Sequence, residues 1–402
     1  MKSNWKKFLI ADLCSNVTSG GTPKSTNSEY YDGGTIPWLN TKEVKFNRIY
    51  NTEKCITELG LKNSSAKWIK QNNVIIAMYG ATAGNVAINK IPLTTNQACC
   101  NLEINENIAD YKYIYYYLLN NYNVLSSMAN GGAQQNLNSL QIKNFEILLP
   151  SLNEQRQIAS ILSIIDDKIE LNNSLNNNLE QQAQAIFNNK FVNIESIPNN
   201  WETSNLSTIA DYLNGLAMQK FRPNNDEIGI PVLKIKELRQ GFCDNQSDLC
   251  SPNIKSEYLI NDGDVIFSWS GTLWLDLWCS GLCGLNQHLF KVTSSKYDKW
   301  FYYFWTKYHL NKFIAIAADK ATTMGHIKRE DLDKSEVLIP DDETYTQLTS
   351  LLSPILELII KNKVENRQLI QLRDTLLPKL MSGEIDVTNV DISTDKLSFS
   401  EK

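Results

Sequence analysis

The chain has 402 residues, of which 42% are hydrophobic and 21% are charged, and its formal net charge at pH 7 is −5. The composition is typical of a globular protein with room for two domains, and the acidic balance argues against binding nucleic acid through overall charge alone. Residues 351–360, the longest apolar run near the C-terminus, are too short to cross a bilayer, and residues 1–5 lack the apolar stretch of a signal peptide. The sequence therefore predicts a cytoplasmic protein with no membrane partner.

The charge is unevenly distributed along the chain. Residues 1–150 carry 14 Lys and Arg against 10 Asp and Glu, so the acidic excess lies in the remainder. A mildly basic first part can contact DNA, but its phosphate-derived affinity should be modest and should need a more basic partner.

Residues 1–150 are predicted to form a first α+β domain. Strands are expected at 36–39 and 73–80, an aromatic helix at 111–119, and a closing strand at 147–149 immediately before Pro150. Gly and Asn separate the strand-like runs, which outnumber the helical ones.

The same succession returns after 190 to 196 residues, so residues 196–340 are predicted to form a second domain of the same kind. Trp5 and Trp201 open the two segments. The matching segments are 36–39 and 230–233, 73–80 and 264–271, 95–97 and 285–287, 111–119 and 300–308, and 147–150 and 337–340.

A long amphipathic helix is predicted after each domain, at about 154–190 and 343–379. Both repeat seam residues in alternating steps of four and three, the pattern of a coiled coil. The seams are Ile158, Leu162, Ile165, Ile169, Asn172, Asn176, Leu179, Ala183 and Ile186 in the first helix, and Leu348, Leu352, Ile355, Ile359, Asn362, Asn366, Leu369, Arg373 and Leu376 in the second. About 36 residues at ~1.5 Å each give rods of ~54 Å.

The connectivity predicts that the two helices pack antiparallel. The first helix leads into the second domain, and the second helix starts from that domain, so packing takes it back along the first. Asn172, Asn176, Asn362 and Asn366 would then meet near the midpoints, where buried polar pairs penalise slipped registers. Alternatively, these Asn are solvated positions on helices docked elsewhere. Residues 151–195 and 341–385 are accordingly assigned to helical spacers, and 386–402 to a disordered acidic tail.

Catalytic motifs are missing from the sequence. It has no phosphate-binding loop ending in Gly-Lys-Ser/Thr, no Pro-Pro pair of the kind that amino-methyltransferases use, no Gly-x-Ser-x-Gly and no His-Glu-x-x-His. The eight Cys and three His show no metal-ligand spacing. The sequence therefore predicts no catalytic residue, no metal and no bound cofactor, and it disfavours a self-sufficient DNA-modifying enzyme.

Polar loops recur at matching places in both domains and are the candidate DNA contacts. Lysines suit phosphates, and amides can form paired hydrogen bonds with adenine, although Asn96 and Asn286 could equally tie loops together. The candidates in the first domain are Thr22, Lys24, Ser25, Thr41, Lys42, Tyr79, Ala81, Thr82, Asn85, Asn96, Gln97, Gln134, Gln135 and Asn136. Those in the second are Gln219, Lys220, Arg222, Lys234, Lys236, Trp269, Ser270, Thr272, Asn286, Gln287, His288, Thr322, Thr323, His326 and Lys328. Because the polar residues of these loops differ between the two domains, two unlike half-sites are predicted and not a palindrome.

Together these motifs resemble the specificity subunit of type I restriction-modification systems, over nearly the whole chain. The segments that carry the resemblance are 20–23, 36–38, 80–84 and 95–97 in the first domain, 229–232, 262–265, 269–272 and 284–288 in the second, and 149–155 and 376–385 in the helical regions. It implies an α+β fold with two tandem target-recognition domains of mixed β-sheet and helices. Between them, two long helices would form an antiparallel coiled coil with pseudo-two-fold symmetry.

The resemblance also implies a function and partners. Each domain would read one half of a bipartite asymmetric double-stranded DNA target, and this non-catalytic chain would dock two methyltransferase subunits that carry S-adenosylmethionine. It leaves open whether restriction/translocase subunits join. The second helical region departs from the first, since it begins Asp-Asp-Glu at 341–343 where the first begins Ser-Leu-Asn at 151–153. The rival interpretation is a two-headed protein–protein scaffold that binds no nucleic acid.

Overall fold

The structure is a computed structural model that describes residues 5–129, 136–319 and 325–388. Contacts divide the chain into two units, one comprising Met1–Asp167 and Gln371–Lys402 and the other Lys168–Ile370. Gln134, Gln135, Thr322, Thr323 and most of the predicted tail lie outside the described residues. The domain boundaries at 150, 195, 340 and 385 stay predictions.

The first domain is built from eleven strands and five short helices among its described residues. The strands are β1 Lys6–Leu9, β2 Cys14–Ser19, β3 Ile36–Leu39, β4 Asn47–Ile49, β5 Lys54–Ile56, β6 Trp68–Ile69, β7 Val74–Ala77, β8 Val86–Asn89, β9 Leu93–Thr95, β10 Cys99–Ile104 and β11 Glu146–Leu149. The helices are α1 Ile10–Leu13, α2 Glu58–Lys62, α3 Tyr111–Asn120, α4 Tyr122–Met128 and α5 Ser139–Lys143, and the first long helix, α6 Leu152–Phe187, follows.

The second domain repeats most of these elements. Its strands are β12 Glu202–Asn205, β13 Asp211–Asn214, β14 Ile230–Leu233, β15 Leu249–Cys250, β16 Leu259–Ile260, β17 Val265–Ser268, β18 Trp274–Leu277, β19 Cys283–Leu285, β20 Leu289–Thr293 and β21 Glu336–Ile339. Its helices are α7 Leu206–Ile209, α8 Ile235–Gln240, α9 Lys299–Asp319 and α10 Arg329–Asp333, and the second long helix is α11 Asp342–Met381.

The strand order shows the same architecture twice. The first domain has sheets ordered β2-β10-β7-β8-β4, β5-β3-β9-β6 and β1-β11, and the second has β13-β20-β17-β18, β15-β14-β19-β16 and β12-β21. In the sheet β5-β3-β9-β6 the pairing of β3 with β9 is parallel, and in the corresponding sheet of the second domain the pairing of β14 with β19 is parallel. The predicted α+β class with two tandem domains is therefore confirmed.

Each unit packs its sheets and helices around a core that includes part of both long helices. In the first unit, Ile158 and Leu162 of α6 and Leu377 of α11 join the apolar residues of the domain. In the second unit, Phe187 of α6 and Leu352 of α11 do the same. No helix in the described parts of the chain is long and apolar enough to span a membrane.

The second aromatic helix is longer than the sequence predicted. The prediction ended at 308, whereas α9 continues to Asp319. Phe313 and Ala317 are buried and extend the apolar face at helical spacing. In the first domain α3 ends at Asn120 and a second helix starts at Tyr122, close to the prediction.

The prediction of an antiparallel helix pair is confirmed inside the second unit. In the second unit Asn172 bonds Asn366 and Asn362 bonds Asn176, so the residue number rises in α6 as it falls in α11. Towards the helix ends the buried residues shift by one, to Phe187 next to Ile186 and to Leu377 next to Leu376. A helix with 3.6 residues per turn drifts in this way from a strict heptad seam.

Candidate nucleic-acid interface

A buried asparagine organises the same loop in both domains. Asn96 and Asn286 are each 7% exposed, and their side-chain oxygens accept hydrogen bonds from the backbone N–H of Ala98 and His288, both at 3.2 Å. The backbone N–H groups of Asn96 and Asn286 donate to the carbonyls at the ends of β3 and β14. In this structure both amides tie loops, and the adjacent Gln97 and Gln287 are the more exposed amides.

Glycine lets a second loop cross this one closely. A Cβ at Gly20 would lie 1.8 Å from the Thr95 carbonyl oxygen, and one at Gly215 would lie 2.3 Å from the Asn286 carbonyl oxygen. Only glycine fits such an approach. The crossing brings the Thr22 hydroxyl into a hydrogen bond with the Gln97 side chain, which lies on the neighbouring loop.

The second domain gathers its predicted residues around a cleft of about 620 Å³. Six of them line it: Gln219, Arg222, Lys234, Asn286, Gln287 and His288. These residues come from three separate loops, so the fold assembles a surface that combines cations and amides. Asp248 lines the same cleft and was missed by the sequence analysis. Its signal is a carboxylate placed directly before a short strand, β15.

Aromatic and polar side chains fix the edge of this surface. The Ser270 hydroxyl and His288 Nδ1 are 3.0 Å apart, and the Trp269 Nε1–H donates to Asn214 at 2.9 Å. His326 meets the Trp269 ring edge-on and forms an isolated strand bridge with Ser270. Ser270 is itself buried, whereas Trp269, His288 and His326 are half-buried.

The first domain holds its predicted loops by local contacts. Asn85 donates to the Val44 carbonyl at 2.9 Å, and the Thr82 hydroxyl lies 3.5 Å from the Tyr79 carbonyl. Tyr79 also bridges Asn136, which repeats the bridge between Ser270 and His326. Thr41 is half-buried beside Asn40.

Most remaining candidates are exposed side chains. These are Thr22, Lys24, Ser25, Lys42, Tyr79, Ala81, Gln97 and Asn136 in the first domain, and Gln219, Lys220, Arg222, Lys236, Thr272 and Lys328 in the second. Some lysines have acidic neighbours, since Lys42 lies 3.9 Å from Glu53 and Lys236 lies 3.1 Å from Asp244. Such exposed pairs contribute little to stability and leave the cations accessible.

The four seam asparagines form a buried network between α6 and α11 in the second unit. Asn172 donates to the Asn366 side chain at 2.9 Å, and Asn362 donates to the Asn176 side chain at 2.8 Å. Each of the four is at most 7% exposed. The solvated alternative does not describe these positions, because every amide faces the partner helix.

Each domain also contacts its part of the long helices through ion pairs, with opposite signs. In the first unit, Arg48 of β4 pairs with Asp167 of α6. In the second, Arg367 of α11 donates two hydrogen bonds to Asp262, at 2.7 and 2.9 Å. Burial opposes ionisation of Asp262, but the bonds and charge of Arg367, with the Gly281 N–H, lower its pKa. Lys363 of α11 adds a 2.7 Å ion pair to Asp276.

Within the described ranges, no three His, Cys, Asp or Glu side chains come close enough together to hold a metal ion. The site therefore consists of cations, amides and aromatic rings on paired loops. Two tandem α+β domains with matched polar loops, each followed by a long helix, define a recognition protein with two similar domains.

Comparison with known proteins identifies the family. The family model described as type I restriction modification DNA specificity domain matches residues 2–181 and 198–371 of this chain. The chain belongs to this family, the non-catalytic DNA-recognition subunits of type I restriction-modification systems, and the predicted resemblance is confirmed.

Relatives match along nearly their full length. The MjaIX specificity subunit of Methanocaldococcus jannaschii is 29% identical over 96% of this chain and 94% of that protein. The EcoKI specificity subunit of Escherichia coli is 23% identical over 96% and 90%. The crystal structure of the S subunit from M. genitalium is 18% identical, with a TM-score of 0.60 over 94% of this chain and 96% of that one, and shares the fold.

Proposed function

We propose that this chain reads a bipartite asymmetric DNA target, with one half contacted by each domain and an unread gap between them. The observation that supports this proposal is that corresponding loops have the same backbone arrangement in both domains, whereas exposed side chains on these loops differ. Asn96 and Asn286 build the same turn, yet it continues to Ala98 in one domain and to His288 in the other, and the loop beside it carries Thr22 in the first domain and Arg222 in the second. A shared backbone arrangement with different side chains suits two domains that bind different DNA sequences.

Base-edge contacts supply the discrimination in this proposal. Amides, hydroxyls and cations at loop tips match the donors and acceptors of the major groove, and a good paired contact is worth about 1–3 kcal/mol. In this proposal the exposed side chains of Lys24, Lys42, Lys220 and Lys328 contact phosphates, which position the protein without reading sequence. The net charge of −5 keeps that contribution small.

The two long helices are proposed to dock two methyltransferase subunits, which hold S-adenosylmethionine and supply much of the phosphate contact. The buried Asn network fixes the register of α6 against α11. A polar pair in an apolar seam is stable only in the register in which the amides meet. The register then sets the length of the unread gap.

Exchanging the first domain tests modular reading. Replacing residues 1–150 with the corresponding domain of a relative should change one half of the methylated target and leave the other half and the gap unchanged, because each half depends on separate loops. Long-read methylation mapping of cells that express the chimaera with its methyltransferase measures this. Alteration of both halves together would contradict modular reading. Lack of DNA binding by the wild-type complex in a gel shift would favour the scaffold.

Lengthening both helices tests the spacer. Seven residues inserted in α6 and in α11, at paired positions beside Asn172 and Asn366, add about 10 Å of helix, which corresponds to up to ~3 base pairs. The unread gap should lengthen while the read bases stay the same, as methylation mapping would show. The same insertion in α6 alone is the control, since it misaligns the Asn network and should abolish methylation. An unchanged gap in the double insertion would contradict the proposal that the helix pair sets the gap length.

A further inference from the structure

Asp248 occupies a defined position at the rim of the cleft in the second domain. Strands β14 and β15 pair Ile230 with Cys250 and Pro231 with Leu249, and the Val232 N–H bonds the Asp248 carbonyl at 2.7 Å. The backbone of Asp248 thus continues the ladder, while 67% of its side chain remains exposed. The fold presents a carboxylate on a rigid strand edge.

The neighbouring cation orients this carboxylate. Lys234 binds Oδ2 of Asp248, and within the described residues Oδ1 has no hydrogen-bond partner. The hydrogen bond and charge of Lys234, with a contribution from Arg222, lower the pKa of Asp248. The group is therefore an ionised acceptor at neutral pH on a residue that lines the cleft, and one of its oxygens is bound by Lys234.

The first domain has the opposite charge at the equivalent position. There β3 and β5 pair Ile36 with Ile56, Pro37 with Cys55 and Trp38 with Lys54. In the second domain, Ile230 and Pro231 of β14 pair with β15 in the same register. Lys54 therefore occupies the position in the first domain that Asp248 occupies in the second. Lys54 is exposed. One backbone position thus offers an acceptor in one domain and a donor in the other.

We propose that this strand-edge position determines base specificity, with Asp248 accepting a hydrogen bond from the exocyclic amino group of a cytosine or adenine. Lys54 would donate to a guanine or thymine acceptor in the other half-site. Carboxylates pair with such amino groups in the major groove, and lysines pair with guanine O6 and N7. The inference rests on the proposed function and names the base chemistry that one position selects.

Base analogues test the contact directly. The full chain with its methyltransferase subunits is bound to duplexes that carry the mapped target. Each cytosine or adenine of the second half-site is replaced in turn by 2-pyrimidinone or purine, which lack the amino group. Wild type should bind about tenfold more weakly at one position, the effect of ~1.4 kcal/mol. Asp248→Ala should reduce this dependence to twofold or less at that position only, and Asp248→Asn, which keeps an acceptor oxygen, should retain part of it.

Asp244→Asn is the matched control, because it removes one charge from the same domain, beside Lys236, at a residue that does not line the cleft. It should preserve the amino-group dependence. Lys54→Ala should relax one position of the first half-site and none of the second. An unchanged thermal unfolding midpoint shows that each variant is folded.

The outcomes separate the two proposals. Absence of any bipartite methylated target overturns the proposed function and this inference together. A bipartite target with no amino-dependent position in the second half-site, or with a dependence that Asp248→Ala leaves intact, overturns the inference alone. A uniform change of affinity at all positions in Asp248→Ala also overturns it, because it assigns Asp248 a purely electrostatic or structural role.

Discussion

Arg373→Ala is expected to lower the free energy of unfolding by about 3–5 kcal/mol, because it leaves a largely buried carboxylate without its cation. Arg373 of α11 donates to Asp166 of α6 at 3.0 Å, and the two side chains are 21% and 12% exposed. The Tyr116 hydroxyl also donates to Asp166, at 2.5 Å. Burial and the Asp166 carboxylate raise the pKa of Tyr116, so it stays a donor. Urea denaturation measures the loss.

Asp374→Asn is the matched control for that prediction. Asp374 is the other partner of Arg373, at 2.9 Å, but 58% of its side chain is exposed. Exposed ion pairs are worth about 0–1 kcal/mol, so this variant should unfold close to the wild-type midpoint. A loss below ~0.5 kcal/mol for Arg373→Ala would show that the pair is solvated and that the helix seam tolerates a lone charge.

Asn362→Leu is expected to destabilise the chain by about 1–3 kcal/mol, although it adds apolar surface to a coiled-coil seam. The substitution removes the donor to Asn176 and leaves that buried side-chain oxygen without it. Asn176 would retain only its 3.4 Å bond to the Ile359 carbonyl. Chemical denaturation checks the loss.

The double variant Asn176→Leu with Asn362→Leu should recover the lost stability, because replacing both partners by apolar groups leaves no orphaned amide. Replacing Asn172 and Asn366 by Leu as well should relax the register, and methylation mapping should then find more than one unread gap length. Asn178→Leu, on the exposed face of α6, is the control and should change the stability by less than ~0.5 kcal/mol. Continued destabilisation in the double variant, and a single gap length when all four are replaced, would assign the asparagines a role other than register.

The opposite signs of the domain–helix ion pairs bear on the domain-exchange experiment. The first domain contributes a cation, Arg48, and the second contributes the carboxylates Asp262 and Asp276. An incoming first domain should therefore carry a cation at the place of Arg48, or Asp167 of α6 loses its partner. Chimaeras that keep this pair are the appropriate choice for mapping.

The sequence by itself determined the duplication, the seam of both long helices and the family, because these depend on local periodicity and on motifs that are contiguous in the chain. Chain connectivity also sufficed for the antiparallel direction. The predicted ends of α6 and α11 agree with the structure to within a few residues, since the apolar seam stops where the helices stop.

Only the tertiary structure decided which polar residues serve the fold and which remain accessible. Asn96 and Gln97 are chemically alike, yet one is buried in a turn and the other is exposed. Arg373 looks like a defect in an apolar seam until Asp166 is placed beside it. The orientation of the Asp248 carboxylate depends on its hydrogen bond with Lys234, 14 residues earlier. Such roles depend on partners that are distant in sequence and that only the packed chain brings within hydrogen-bond reach.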